Sequence, residues 1–217
     1  PARFYLGLNL EEKHKNEEAA GAYEKALELS PDFEEARYRL GALKIVQGNL
    51  AAGLEKIREA AGRNPNLAGE ISARLAGIAD DLTARNDFEP AVTLYKAALE
   101  LSPQDLWPQV HLGDIYEKQG NVQDALNIYR AILIQKPESP VTARNLQRVL
   151  AKIQAAPDAR VAEWRSLTEK HPQSAVLLYY LGRALEAAGD GDAAREAFKR
   201  SREINPNIDT VTADTGN

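Results

Sequence analysis

The 217 residues carry 27 Lys and Arg against 32 Asp and Glu, a net charge of −5, and 44% of them are hydrophobic, enough to bury a core of domain size. This balance excludes a chain drawn onto nucleic acid mainly by charge. The absence of cysteine excludes disulfides, thiolate metal sites and cysteine nucleophiles, and no apolar run approaches the roughly 20 residues of a membrane span. Methionine is also absent and Pro1 already lies inside a helical pattern, which predicts that the segment was cut from a longer chain and leaves its compartment open.

Proline marks a period. Pro31, Pro65, Pro103, Pro137, Pro172 and Pro206 follow one another at 34, 38, 34, 35 and 34 residues. Tyr23 to Pro31 and Tyr95 to Pro103 match at seven of nine positions. Six units follow in chain order, at about 1–33, 34–67, 68–105, 106–139, 140–174 and 175–206, with a polar tail at 207–217.

The first half of a unit carries a large residue followed by a small one: Leu6-Gly7, Leu40-Gly41, Ile78-Ala79, Leu112-Gly113 and Leu181-Gly182. The second half places a small residue four positions before a ring or branched side chain, as in Ala19/Tyr23, Gly53/Ile57, Ala91/Tyr95, Ala125/Tyr129 and Ala194/Phe198. Spacings of three and four lie on one helical face, so each unit reads as a helix pair whose facing small residues let the backbones approach closely. Glycine in mid-helix costs about 1 kcal/mol against alanine, and a close crossing explains its recurrence. Gly48-Asn49, Gly120-Asn121 and Gly189-Asp190, with His14-Lys15 and Asn86-Asp87 in the matching places, fit a left-handed residue closing one helix and a cap opening the next.

Two units depart from the pattern. The four residues added between Pro65 and Pro103 amount to one helical turn and predict a longer helix within Asn66 to Arg85. Unit five gains one residue, placed at the Ala155 to Asp158 turn, and carries Gln147 and Arg160 where small residues stand elsewhere. Such a unit is either a tolerated irregularity or a change of curvature that shapes a binding surface. The tail after Pro206 shows no helical stripe and is expected to be mobile.

The pattern closely resembles the tetratricopeptide repeat family, with its 34-residue helix-turn-helix unit, Leu-Gly pair, later Ala and aromatic, and closing Pro. The resemblance runs from residue 1 to about 206 and implies a single all-α domain, a right-handed superhelical solenoid of about six units. It also implies a concave groove, lined by the first helices, that holds a peptide or a partner's helix. The aromatic that usually opens the first helix is replaced by Arg3, Arg37, Leu75, Gln109 and Leu178.

His14, His111 and His171 are scattered, and no HExxH pair, phosphate loop or GxSxG elbow occurs, so no catalysis, cofactor or metal is expected. Asp80-Asp81 and Asp190 with Asp192 read as a polar face and a helix cap, Trp107 and Trp164 as packing residues. The groove instead carries Phe4, Tyr5, Leu8, Tyr38, Arg39, Ala42 and Ile45 on units one and two, then Asp80, His111, Asp114, Glu117 and Lys118 on units three and four. Arg144, Asn145, Arg148, Lys152, Tyr179, Tyr180 and Arg183 follow on units five and six.

Its sign changes from apolar through acidic to basic, so Arg144, Arg148, Lys152 and Arg183 are expected to receive an acidic partner segment. Chaperone-binding members of the family hold a carboxylate with Lys and Asn; here Phe4, Leu8, Arg39, Ala73 and Gly77 occupy those places, which disfavours that role. The resulting expectation is a non-catalytic interaction scaffold in complex assembly, with a protein or peptide partner, no nucleic acid and no membrane insertion. The recognition arm of a larger enzyme or secretion machine is the alternative, and Phe4 and Tyr5 at the N-terminal end raise self-assembly as a third.

Overall fold

The computed structural model describes residues 2–213, and all secondary structure among them is helical. The helices are α1 (Ala2–Glu12), α2 (Asn16–Leu29), α3 (Glu34–Val46), α4 (Leu50–Arg63), α5 (Ala68–Ala84), α6 (Phe88–Leu101) and α7 (Leu106–Lys118). They continue as α8 (Val122–Gln135), α9 (Pro140–Lys152), α10 (Pro157–Lys170), α11 (Ala175–Ala187), α12 (Gly191–Ile204) and α13 (Ile208–Thr212). The chain divides into two compact units, Pro1–Pro108 and Gln109–Asn217, with the boundary inside α7.

Each repeat is a hairpin of two helices. Its turn holds one left-handed residue: His14, Gly48, Asn86, Gly120, Gln154 or Gly189. The Asn49 and Asp190 side chains cap the helices that follow, whereas Asp87 and Asn121 make no such bond.

The small residues do what the pattern requires. A methyl group added at Gly113 would lie 2.6 Å from the Tyr129 ring, and one at Gly182 would lie 2.7 Å from Phe198. In the second hairpin the obstacle is backbone rather than a ring, because a Cβ at Gly41 would stand 2.7 Å from the Gly53 carbonyl oxygen.

The four-residue insertion lengthens α5 to 17 residues, against 13 in α3, as its size predicts. The added turn is at the N-terminal end and contains Glu70 and the buried Ile71. In unit five the Gln147 carbonyl oxygen accepts a hydrogen bond from the Trp164 indole at 2.9 Å, and the fully buried ring stacks on Tyr180 with centroids 5.0 Å apart. The larger side chain at position 147 is thus matched by a larger partner.

The segment after Pro206 differs from the expected tail. Residues Ile208–Thr212 form α13, which packs against α9 and α11 with Ile208 fully buried, and the Arg144 guanidinium donates to the Ala213 carbonyl at 2.9 Å. A five-residue helix anchored by one aliphatic side chain has no period to read in advance. The last four positions of the expected tail lie outside the described residues.

Candidate functional site

In the first unit, α1, α3 and α5 share a cleft of about 820 Å³. Its apolar lining comes from Leu8, Leu43, Val46, Ala73, Gly77 and Ile78. On α5 two lining positions carry little or no side chain, since Ala73 and Gly77 are exposed and a Cβ at Gly77 would meet nothing within 4 Å.

A charge network crosses the same three helices. Glu11 accepts hydrogen bonds from the Tyr23 hydroxyl at 2.9 Å, from Arg39 at 3.0 Å and from Arg74 at 3.1 Å. Arg39 also donates to Glu70 at 3.2 Å, and the Tyr38 hydroxyl donates to the same carboxylate. The added turn of α5 therefore supplies the second carboxylate that holds Arg39 in place. Burial, reinforced by Glu11, raises the Tyr23 pKa above the usual phenol value; burial with Glu70 does the same for Tyr38. Both hydroxyls stay protonated and donate.

The second unit repeats this device with different consequences. Asp114 accepts from the Tyr129 hydroxyl at 2.6 Å, Asn145 at 3.2 Å and Arg148 at 3.4 Å. The buried Glu117 is gripped by Arg148, with a shortest contact of 2.8 Å, and approached by Lys152 at 3.5 Å. Burial alone would push the Glu117 carboxyl up, but Arg148 and then Lys152 outweigh it and hold the group below the usual carboxylate range.

Among the groove residues predicted from the repeat, Leu8 and Arg39 line the first-unit cleft. Tyr38 is buried. Phe4 faces inward, against Phe33 with centroids 4.7 Å apart, whereas Tyr5 is 66% exposed. Asp114, Asn145, Arg148 and Lys152 join one network, while Lys118 is exposed at the end of α7 and His111 is half-buried. Arg144, Tyr179, Tyr180 and Arg183 surround a pocket of about 120 Å³ bordered by Thr212 and Ala213.

The predicted basic surface is thus largely engaged: Arg148 and Lys152 by Glu117, Arg144 by the Ala213 carbonyl. Trp107, expected to be a packing residue, is 56% exposed, and its indole donates to Asp80 at 3.1 Å.

Glu11, Glu70, Arg74, Val46 and Asp81 were absent from the predicted groove. A signal for them exists, because Glu11, Val46 and Asp81 lie one turn beyond Leu8, Ala42 and Gly77 on the same helix faces.

A helical-hairpin repeat with such a face is a protein-interaction scaffold in its general class. Tetratricopeptide repeat matches cover residues 10–48, 82–153 and 175–208, and the chain belongs to that family. Cellulose synthase operon protein C of Komagataeibacter sucrofermentans is 25% identical over 125 residues, which span 58% of this chain and 9% of that protein. The BBSome complex member bbs-4 of Caenorhabditis elegans is 24% identical over 209 residues, 95% of this chain and 44% of its own length. Among solved structures, Pseudomonas aeruginosa pilF shows 19% identity and a TM-score of 0.43, over 94% of this chain and 91% of that one. No helix among the described residues is long and apolar enough to cross a membrane.

Proposed function

We propose that this chain is a non-catalytic scaffold that binds a peptide segment of a partner protein in the cleft between α1, α3 and α5, and so brings components of a complex together. The observation that carries this reading is the cleft itself, about 820 Å³ with an apolar floor left open by Ala73 and Gly77. That volume lies within the range of specific ligand pockets. The first unit is favoured over the basic end because Arg148 and Lys152 already serve Glu117.

A plug tests the proposal. Gly77→Trp fills the cleft from a position where the backbone is helical and the space is empty. Peptides selected on the full chain from a random 15-residue display library are expected to lose at least tenfold in affinity for this variant, measured by calorimetry. Unchanged affinity overturns the location.

The greater length of the matched relatives favours a second reading, in which the repeats are the recognition part of a larger assembly component. Intact mass of the natural gene product tests it, and a mass no greater than the 23.8 kDa of these residues overturns it.

A further inference from the structure

We infer that the segment seated in this cleft is basic, presenting a Lys or Arg beside an apolar anchor; the inference rests on the cleft being the binding site. The anchor follows from the floor, where Leu43, Ala73, Gly77 and Ile78 offer apolar surface and depth but no specific polar partner.

The cation follows from the charges. Arg39 and Arg74 line the cleft, but Glu11 and Glu70 already hold them, so these four groups sum to zero. Glu12 and Asp81 also line it, both exposed and without a side-chain hydrogen bond or ion pair among the described residues. They leave two negative charges on opposite walls.

Helix geometry adds to this independently. Glu12 is the last residue of α1, Val46 the last of α3, and Asp81 begins the final turn of α5, so three helix C-termini border the cleft against one helix N-terminus, that of α2 at Asn16. Turn amides already bond carbonyls at these ends, Leu10, Lys44 and Leu82 among them, and what each macrodipole leaves there is a partial negative charge. Neither α1 nor α5 has a basic residue in its last turn, and Lys44 in α3 reaches Glu24 at 3.7 Å instead. An incoming ammonium or guanidinium would meet both carboxylates in the negative field of three helix ends. A carboxylate would be repelled by all of them.

The same display library, selected on the full chain, provides the probe. Recovered peptides are expected to pair Lys or Arg with Leu, Ile or Phe, and to weaken as salt rises through the screening range. Glu12→Lys combined with Asp81→Lys, both at exposed positions, is expected to lower their affinity by about fivefold or more. Recovered peptides that lack basic residues, or that bind the double variant within twofold of the parent chain, overturn the inference. Gly77→Trp separates the two levels. Binding lost to the plug but indifferent to charge reversal removes only the basic partner, whereas binding indifferent to the plug, or no recovered peptide, removes the cleft as the site.

Discussion

The two units solve the same packing problem and leave different surfaces. In each, a buried tyrosine of a second helix donates to a carboxylate on a first helix, Tyr23 to Glu11 in one and Tyr129 to Asp114 in the other. In each, an arginine of the neighbouring first helix, Arg39 or Arg148, joins that acid. The first unit then presents Ala73 and Gly77 and keeps an open cleft of about 820 Å³. The second presents Gln147, Tyr179 and Tyr180, adds α13, and keeps about 120 Å³. Side-chain volume at a few positions of one face decides whether a repeat offers a groove or fills it.

The largest expected effect tests the filled unit. Trp164→Ala removes a fully buried ring, its stacking on Tyr180 and its bond to Gln147, and is expected to cost about 3 to 5 kcal/mol by thermal or denaturant unfolding. A cost below 1 kcal/mol would mean that the second unit is not packed around this side chain.

Glycine separates tight and open backbone within the first unit. Gly41→Ala forces a methyl group to 2.7 Å from the Gly53 carbonyl oxygen and is expected to cost about 1 to 3 kcal/mol. Gly77→Ala meets empty space and is expected to stabilise by about 0.5 to 1 kcal/mol through helix propensity. Equal signs for the two in denaturant titration would refute the placement of the cleft floor.

The ion cluster of the second unit predicts acid sensitivity. The Glu117 carboxyl is held below its usual range, so it stabilises the fold at pH above the unfolded carboxylate value. That contribution is lost as pH falls through the lower, folded value. Glu117→Gln is expected to cost about 1 to 2 kcal/mol near neutrality, discounted for the half-exposed Arg148, and to flatten the loss of stability on acidification. An unchanged pH profile would show that the cluster adds nothing.

How much of this was legible depends on the distance over which a signal acts. The hairpins, their left-handed turns and the added turn of α5 follow from local spacing, because proline, glycine and the Leu-Gly pair act within a few residues of themselves. The charge network did not follow, because counting charge helix by helix ignores the neighbouring repeat. Asp114 and Arg148 stand 34 residues apart, in the same column of consecutive units, and opposite signs there pair across the face. The basic end thus loses most of its expected availability to an acidic partner. A groove along the first helices was expected, with Leu8 and Arg39 in it, but not that its open part lies against α5: the small side chains Ala73 and Gly77 that leave it open look like the absence of a site.

The smallest effect concerns the irregular turn of unit five. Gln154 sits at a φ of +52°, where Gly120 and Gly189 stand in the matching turns at +81° and +86°. Its amide donates to the Ala151 carbonyl and that of Ala155 to Leu150, the same closure that Gly189 and Asp190 make on Glu186 and Leu185. The conformation is therefore imposed by the helix end and its residue is exposed, so the Gln154 side chain contributes strain without a compensating side-chain hydrogen bond among the described residues. A left-handed non-glycine residue costs about 1 to 2 kcal/mol, and glycine's greater freedom in the unfolded chain offsets part of the relief. Gln154→Gly is accordingly expected to stabilise the chain by about 0.5 to 1 kcal/mol in denaturant titration. A destabilised variant would show that Gln154 makes a contact that sets this turn apart from the others.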